Sequence, residues 1–501
     1  MADLVSKLSE KEEQLRRFQL KCISPDDSKY GKKSEDLVNY LSAEAEWRAC
    51  AHVQRTLLET RINFGKAEQS DLDKVDEAMK NFDPLNVTLL EETSPKEGGT
   101  RHDQLAVIEE IGDYVSSKTK SLLHPGTTSY DILDTARSYL FKTAWKEVIR
   151  PAIIEPIRKL SDMAERFVGV DEKALENGER MPFLFTGRTH LQDTSPVPFG
   201  MTLAGYAARL ANRVELCDSY FDDLRGKISG IVGTGAGIDM VMREGESLAF
   251  ELVALNKLGL KPDLTATQIV QKERLADVGH GLTSLMLVLR DFANDMRILY
   301  SSAIGEVTSR DNAERLGGSS ADATKNNPID YENIRGKAIV VQSGMPILYD
   351  MIVSDLQRDL SSSVEACYQP QAMMVQTHES FLRLNKSLEQ LSVNEDRVAE
   401  NLQSVRENPS EAMVSILRGE KWIHSKYGVG HDFVKEIGKR AKKEDKSLLV
   451  VALEDSEFRE VYDSLSEKKK SILSGKLEYY VGSAFERAKK NIEYVRSIYS
   501  T

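Results

Sequence analysis

The chain has 501 residues, of which 41% are hydrophobic and 29% are charged, a composition typical of a globular protein. This length exceeds what one compact core accommodates and predicts about two to four domains. The formal net charge of −12 argues against nucleic acid or an anionic membrane as the main partner. A phosphorylated substrate is compatible with this charge, because a local basic cluster is enough to bind one.

The cysteines and the N-terminus indicate the compartment. Cys22, Cys50, Cys217 and Cys367 are scattered and form no CxxC pair, which is typical of thiols in a reducing cytosol. The N-terminus has no apolar h-region, and no segment approaches about 18 uninterrupted apolar residues. We therefore expect a cytoplasmic protein that does not span a membrane. The histidines lack the spacing of metal ligands, so we expect no metal and no cofactor.

The first segments are helical and charged. Residues 1–21 predict an exposed N-terminal helix. A turn at Ser24–Asp27 precedes a helical pattern that includes Leu37 and Leu41. The lysines between them, considered alone, indicate a solvated surface.

Residues 86–136 contain the first polar clusters. Arg101-His102-Asp103 opens an apolar-periodic segment, where Asp103 suits an N-cap or a first turn. By itself, His102 is explained as an ordinary residue at a helix start. The following HPGTTSYDILDTA predicts a turn and then a helix capped by Thr128 or Ser129. Free N–H groups and hydroxyls at such a terminus suit a carboxylate, although capping alone explains the same residues.

His190 lies in the irregular segment 186–200, TGRTHLQDTSPVPFG. Pro196 and Pro198 exclude a helix interior there. An exposed histidine on such a segment is a candidate acid or base, and an ordinary surface histidine is the alternative.

The middle of the chain predicts long packed helices. Apolar residues from Leu203 to Leu224, and again from Leu275 to Leu299, recur at alternating spacings of three and four. Each series predicts a helix of about 20–25 residues in a bundle. The glycine-rich stretch Lys227–Gly237 between them predicts a loop, because it matches neither common nucleotide-binding pattern.

Gly317–Asn333, GGSSADATKNNPIDYEN, predicts a surface loop, because it has no large apolar residue before Pro328. A solvated connector and an active-site lid both fit that composition. Beyond residue 385 the pattern predicts a smaller, solvated helical domain. A strand pattern is found almost nowhere, and Ser447–Leu453 is the best short exception.

Separated motifs in a fixed order resemble a known group of enzymes. Gly317–Pro328 resembles the loop GSSxMPxKxNP of the fumarase/aspartase superfamily, whose members cleave C–N or C–O bonds and release fumarate. Thr128-Ser129 and Thr189-His190 stand where that superfamily has TSxD and TH. The resemblance extends over about residues 22–370 and is much more specific than any one motif.

Within the superfamily, the details resemble the adenylosuccinate lyase family, notably its long bacterial form. Ser24–Lys33 resembles SPxDGRYxxK, Arg101–Asp103 contains the HD motif, Asn327–Asn333 resembles NPIDFEN, and Gln357–Ser363 resembles QRDLxDS. The resemblance implies elimination of fumarate from adenylosuccinate, giving AMP, and from a succinylated carboxamide ribotide of purine biosynthesis.

The resemblance also implies an architecture. It implies an all-α, three-domain lyase fold whose central bundle of long helices forms the core of a homotetramer with shared active sites. We place an N-terminal helical domain at residues 1–125, the central bundle domain at 126–385 with the signature loop at 317–333, and a C-terminal helical domain at 386–501.

Roles follow from the resemblance, position by position. Ser319 matches the base, His190 the general acid, and His102 a histidine near the phosphate and the acid. The carbanion formed in such a β-elimination requires cationic and N–H donors fixed at the adjacent carboxylate. Lys325 and Asn327 match those donors. The positions expected to bind substrate are Lys29, Tyr30, Arg101, Asp103, Thr128, Ser129, Thr189, Gln268, Ser320, Lys325, Asn327, Arg358 and Ser363.

Three departures from the family pattern leave the substrate open. Asp322-Ala323 replaces Met-Pro in the loop, Lys29 replaces an arginine, and Cys367 stands where a second arginine follows Ser363 by four residues. Both arginine replacements weaken the expected binding of phosphate. An adenylosuccinate lyase is the leading hypothesis. A superfamily lyase acting on another succinyl-amine, such as argininosuccinate or a ligand without phosphate, and an inactive relative are the alternatives.

Overall fold

The computed structural model describes residues 34–169, 183–309, 326–361, 363 and 366–499, together with short stretches between positions 14 and 27. The described chain is mostly helical. It divides into two compact units, one formed by Met1–Ile153, Arg213–Leu287 and Gly336–Leu382, the other by Ile154–Asn212, Val288–Arg335 and Arg383–Thr501. Most of the predicted helix over residues 1–21 and most of the signature loop lie outside the described residues.

The helices before residue 170 are short, apart from three. They are α1 (Val38–Leu41), α2 (Ala43–Asn63), α3 (Gln69–Asn81), α4 (Pro84–Glu92), α5 (Asp103–Gly112), α6 (Ser117–Lys120), α7 (Ser129–Ala144) and α8 (Arg150–Val168). A π-helical segment, Trp145–Ile149, joins α7 to α8.

The middle of the chain carries the longest helices and short strands. In order they are β1 (Leu184–Thr189), β2 (Gln192–Pro198), α9 (Phe199–Asp222), β3 (Arg225–Gly226), α10 (Ala236–Val241), α11 (Ser247–Lys257), β4 (Lys261–Pro262), α12 (Glu273–Leu299), β5 (Val307–Ser309), α13 (Ile329–Ser343) and α14 (Met345–Asp350).

The last part of the chain is a series of helices interrupted by a short strand. They are α15 (Gln369–Gln390), β6 (Leu391–Val393), α16 (Glu395–Glu407), α17 (Ser410–Leu417), α18 (Lys421–Lys426), α19 (Gly430–Glu444), α20 (Leu448–Ala452), α21 (Ser456–Ser464), α22 (Glu467–Leu473) and α23 (Ala484–Tyr499).

The core of the first unit forms where α2 packs against α7. Ser42 caps α2 by accepting a hydrogen bond from the Ala45 N–H at 3.1 Å. Fully buried apolar residues at helical spacing, such as Leu57 on α2 and Ile132 on α7, fill the space between the helices and join one continuous apolar cluster. This packing fixes the N-terminal end of α7, which carries two of the predicted site residues.

Both heptad series predicted from the sequence are helix core. The first lies on α9 and the second on α12, which have 24 and 27 residues. Leu203 and Leu210 on α9, and Leu282 and Leu289 on α12, are fully buried. The helix predictions are therefore confirmed, and the all-α class is confirmed apart from short strand pairs.

The clearest of these pairs is the antiparallel hairpin β1–β2, where the sequence predicted only an irregular segment. Thr189 pairs with Gln192, which leaves His190 and Leu191 as a two-residue turn. Both turn residues have positive φ, 54° and 60°, as hairpin turns of this length require.

Three local predictions need correction. Ser447–Leu453 was predicted as a strand, but α20 occupies it, because the Ser447 hydroxyl caps the helix. The predicted loop Lys227–Gly237 ends earlier than expected, since α10 begins at Ala236. The end of the predicted signature loop is helical, since α13 begins at Ile329.

The C-terminal helices form a core of their own. Met413, Leu417, Ile423, Phe433 and Val451 belong to one buried apolar cluster. Within the described ranges, no helix has both the length and the apolar content needed to cross a membrane. The three-domain boundaries remain a prediction.

Candidate active site

The first unit contains a cavity of about 670 Å³ that gathers several of the predicted residues. This is the size of a site for a small molecule. Side chains from α2, α4, α5, α7, α15 and the turns that flank these helices line it: Ser42, Ala43, Glu46, Trp47, Glu91, His102, Asp103, Ser129, Tyr130, Leu133, Arg137, Arg358, Ser363, Tyr368 and Gln371.

One wall of the cavity is the N-terminal end of α7. Thr128 and Asp131 form a capping box, in which the Asp131 carboxylate accepts from the Thr128 N–H at 2.7 Å. The same carboxylate accepts from the N–H groups of Ser229 and Gly230 at 3.0 and 3.1 Å. It also accepts from the Lys227 ammonium, and both side chains of this pair are fully buried. Asp131 thereby ties the glycine-rich loop to the helix end that carries Ser129.

His102 lies beside this helix end. It is the N-cap of α5, and its Nδ1 lies 3.5 Å from the Leu105 N–H and 3.2 Å from Asp103 Oδ1. Its Nε2 lies 3.4 Å from the Ser129 hydroxyl. Because Nδ1 accepts from the Leu105 N–H as the N-cap of α5, the proton of a neutral His102 imidazole lies on Nε2, on the side of the Ser129 hydroxyl. His102 and Ser129 together therefore offer a proton-donating group to the cavity.

Arg358 lies over the other side of α7. Its guanidinium carbon is 3.8 Å from the centre of the Tyr130 ring. Arg358 Nε donates to the Ser363 hydroxyl and Nη1 donates to Gln268 Oε1, each at 3.0 Å. Tyr130 in turn donates to the Ser363 carbonyl at 2.7 Å. These contacts fix one cation and one hydroxyl in a geometry that suits an anionic group.

The turn that carries Arg358 is held by Asp359. Its carboxylate accepts from the Ser361 hydroxyl and from the N–H groups of Ser361 and Asp355. These hydrogen bonds, that from the Ser361 hydroxyl first, lower the pKa of Asp359 to about 2. The aspartate of the QRDLSSS motif is therefore a structural residue of this turn.

A second arginine lies deeper on the same face of α7. Arg137 Nη2 donates to Glu46 Oε1 at 2.8 Å and Nε donates to Oε2 at 3.3 Å. The Tyr368 ring lies 5.4 Å from the guanidinium. Burial raises the pKa of Tyr130, and the positive charges of Arg358 and Arg137 partly offset that rise. Both guanidinium groups therefore act on the same tyrosine.

Carboxyl groups also line the cavity. Burial raises the pKa of Glu91, and the nearby carboxylates of Asp103 and Glu46 add to the rise. The cavity thus has an acidic side near His102 and a cationic side at Arg358 and Arg137. A ligand that fits this division carries its main negative charge at the arginine side.

The second unit carries Thr189 and His190 at the tip of the β1–β2 hairpin, where both are exposed. Arg188 anchors this hairpin. Its Nη1 and Nη2 donate to the fully buried Glu306 at 2.9 and 2.8 Å, and its Nε donates to Asp193 at 3.0 Å. The bidentate pair fixes the strand that leads into the turn, so the position of His190 within this unit is well defined.

The remaining predicted residues lie away from the cavity or outside the described residues. Asn327 is half-buried in the second unit, at a small cavity beside the start of α13. Arg101 is exposed, with a positive φ of 51°. Lys29, Tyr30, Ser319, Ser320 and Lys325 lie outside the described residues.

The structure therefore brings together one subset of the predicted residues. His102, Asp103, Ser129, Arg358 and Ser363 share the cavity, Gln268 reaches it through Arg358, and Thr128 caps the helix that lines it. Sequence reasoning missed several lining residues: Glu46, Glu91, Tyr130, Arg137 and Tyr368. A signal for two of them existed, since Tyr130 and Arg137 are seven residues apart and share a helix face with Leu133.

The described side chains suit acid–base chemistry on an anionic substrate. His102 supplies an imidazole, the α7 N-terminus supplies N–H donors, and Arg358 supplies a fixed cation. Within the ranges that the structure describes, no group of three or more histidine, cysteine, aspartate or glutamate side chains is placed to hold a metal ion.

Comparisons with known proteins show which family the chain resembles. A sequence profile of a family described as lyase matches residues 25–343. The chain is 30% identical over 362 residues to the adenylosuccinate lyase of Bacillus subtilis, which spans 72% of this chain and 76% of that protein. It is 26% identical over 484 residues to the adenylosuccinate lyase of Archaeoglobus fulgidus, which spans 95% and 99%.

A solved structure supports the fold. The fumarate lyase from Mesorhizobium sp. BNC1 superposes with a TM-score of 0.72, covering 92% of this chain and 97% of that one, at 21% identity. The family profile covers well over half of the chain, and the fold agrees with it. The chain therefore belongs to the lyase family of the fumarase/aspartase superfamily.

Proposed function

We propose that this fumarate-releasing carbon–nitrogen lyase eliminates fumarate from adenylosuccinate, giving AMP, and from the succinylated aminoimidazole carboxamide ribotide of purine biosynthesis. The observation that carries the proposal is the cavity in which His102 and Ser129 lie on one side and Arg358 with Ser363 on the other. Relatives that carry the name adenylosuccinate lyase, and match most of the chain, support it.

The reaction removes a proton from the carbon beside a succinyl carboxylate and breaks the C–N bond. In this proposal Ser319 accepts that proton, the C–H electron pair forms the double bond of fumarate, and His190 delivers a proton to the leaving nitrogen. Lys325 and Asn327 hold the carboxylate whose negative charge increases in the transition state. Thr128, Ser129, Thr189, Ser320 and Gln268 bind the succinyl half.

The nucleotide half binds at the other side of the site. In this proposal Arg358 and Ser363 hold the phosphate together with Lys29 and Tyr30, and His102, oriented by Asp103 and preceded by Arg101, lies between phosphate and acid. The contacts from Arg358 to Ser363 and Gln268 support this arrangement, because they hold the guanidinium in place before substrate binds.

A second candidate substrate has an observation of its own. Glu91 and Asp103 line the side of the cavity near His102, and carboxylates there disfavour a dianionic phosphate close to them. A succinyl-amine with a cationic or uncharged remainder, such as argininosuccinate, suits that side better. This candidate keeps the same reaction and changes only the leaving group.

The proposal includes a cytoplasmic homotetramer whose active sites combine residues of several subunits. Mixing two inactive variants tests this point. Co-refolded Ser319→Ala and His190→Ala chains are expected to regain turnover well above either variant alone, because some sites then receive both intact residues. Turnover no higher than that of the separate variants would contradict shared sites.

Turnover of adenylosuccinate, argininosuccinate and succinyladenosine, compared side by side with fumarate quantified separately, tests the substrate. We expect adenylosuccinate to be turned over with the highest kcat/KM, and AMP and fumarate to form in equal amounts. Ser319→Ala and His190→Ala are expected to lower kcat by roughly 10²–10⁴-fold while circular dichroism stays unchanged. Preference for argininosuccinate would replace the proposed substrate, and normal turnover by either variant would refute its assigned role.

A further inference from the structure

Arg137 is a charged group of the cavity to which the proposed reaction assigns no role. It lines the cavity with Arg358 and Ser363, and its side chain is only 11% exposed. A guanidinium in such a place is always charged, so burying it costs free energy that its contacts must offset.

The contacts of Arg137 leave part of the guanidinium unused. Nε and Nη2 bind the two oxygens of Glu46 side by side. Nη1, which carries two further N–H groups, is buried and has no hydrogen-bond partner among the described residues. A buried donor without a partner costs about 1–3 kcal/mol, so a ligand or ordered water that accepts from it would be bound favourably.

Arg137 and Arg358 line the same cavity, and the charges of both act on Tyr130. Tyr368 covers one face of the guanidinium. Cys367 lies beside it on the wall of a smaller cavity of about 20 Å³, to which Arg137 also contributes. A thiol is a weak hydrogen-bond group, so cationic recognition on this side rests on the arginines.

We propose that Arg137 is a specificity-determining residue that supplies the second guanidinium for a phosphate monoester bound beside Arg358 and Ser363. This inference rests on the proposed function, because it takes the nucleotide phosphate to be the anion in the cavity. Glu46 holds Arg137 in place and, at the same time, offsets part of its charge. The two side chains therefore act on phosphate affinity in opposite directions.

Binding of AMP and adenosine, measured by titration calorimetry, tests the proposal without requiring turnover. Arg137→Met is expected to weaken AMP binding by about ten-fold or more, as loss of a charge-assisted contact does. Adenosine binding is expected to change less than about two-fold, since adenosine lacks the phosphate. Glu46→Gln, which removes the negative charge that offsets the Arg137 guanidinium, is expected to strengthen AMP binding by several-fold.

Controls separate specific from general effects. Arg48→Met removes an exposed arginine of α2 that is paired with Glu44, and it should leave both affinities unchanged. Glu46→Gln combined with Arg137→Met removes both partners, so it keeps the fold testable if Arg137→Met alone fails to fold. This double variant should still lose AMP affinity relative to adenosine.

Each outcome decides between the two proposals. If the wild-type protein binds AMP and turns over adenylosuccinate, but the Arg137 variants keep the same preference for AMP over adenosine, the role of Arg137 is wrong and the proposed function stands. An equal loss of affinity for both ligands would also refute it, because that pattern indicates a structural role. If the wild-type protein neither binds AMP nor turns over adenylosuccinate, the proposed function fails and this inference fails with it.

Discussion

The thiol of Cys367 is buried beside the Arg137 guanidinium, on the wall of the smaller cavity. Burial raises the pKa of this thiol, and the positive charge of Arg137 partly offsets the rise. The family pattern has an arginine at this position, but the cavity beside Cys367, of about 20 Å³, is too small for a guanidinium. Arg137, on α7, places a positive charge beside this position.

Cys367→Arg is expected to destabilise the protein by about 1–3 kcal/mol, because it overfills a packed site and places two like charges together. Combining it with Arg137→Leu should restore much of that stability, since the space and the charge are then exchanged. Urea unfolding at neutral pH measures both variants, with Cys367→Ala as a control of similar size to the wild type. A Cys367→Arg variant as stable as the wild-type protein would contradict this account of the site.

The N-terminal end of α7 shows how an element presents a binding surface. The carboxylate of Asp131 accepts hydrogen bonds from the N–H of Thr128 at the helix end and from the N–H of Ser229 in the glycine-rich loop, and it also binds the buried Lys227. Lys227 donates in addition to the Gly230 carbonyl at 3.1 Å. Removing Lys227 alone would leave the buried Asp131 charge without its cation. Removing Asp131 alone would leave the Lys227 ammonium and the N–H groups of Thr128 and Ser229 without their acceptor.

Asp131→Asn and Lys227→Met are each expected to lower the free energy of unfolding by about 3–5 kcal/mol. The double variant is expected to lose less than the sum of the two, because it leaves no unpaired charge. Denaturant unfolding of all three variants gives this coupling energy, with Asp113→Asn on the exposed end of α5 as the control. Strict additivity would show that the pair contributes no coupling.

The long helices could be predicted from sequence because periodic apolar residues fully specify a buried face, as in α9 and α12. The hairpin β1–β2 could not, since a register irregularity between Thr186 and Arg188 interrupts its alternation. Ser447–Leu453 was misassigned because Val450 and Val451 favour strands, whereas the Ser447 cap and packing against α19 decide for a helix. Local propensity is a weak signal where tertiary contacts compete with it.

The candidate site was partly predictable for a different reason. Motifs identified His102, Ser129, Arg358 and Ser363, and the structure gathers them at one cavity. Arg137 belongs to no motif, and its place at the cavity depends on how α2 packs against α7. Such residues follow from the fold and not from any local pattern.

Buried histidines make the stability of the whole molecule depend on pH. His378 is 1% exposed, and burial lowers its pKa from 6.5 to about 4. The unfolded chain therefore binds a proton at a pH where the native protein does not. The stabilisation is complete above pH 6.5 and decreases as the pH falls toward 4.

On moving from pH 7 to pH 5, we expect His378 alone to account for a loss of about 2 kcal/mol in the free energy of unfolding. His378→Gln should therefore show a smaller loss between the two pH values than the wild-type protein. Urea unfolding at each pH measures it, and His424→Gln, at an exposed position, is the matched control. An unchanged pH dependence in His378→Gln would assign the acid sensitivity to other groups.

His190 and Leu191 both have the left-handed backbone conformation, so the proposed role of His190 as the acid implies that turnover and thermal stability favour different residues at this turn. Non-glycine residues with positive φ are strained, and asparagine followed by glycine is the pair that such a turn prefers. His190→Asn with Leu191→Gly is therefore expected to raise the melting temperature, by relieving about 1–2 kcal/mol of strain, while abolishing turnover. A laboratory selection for heat resistance alone would thus tend to replace His190, the proposed acid. Any such selection should therefore also measure fumarate release in the same round.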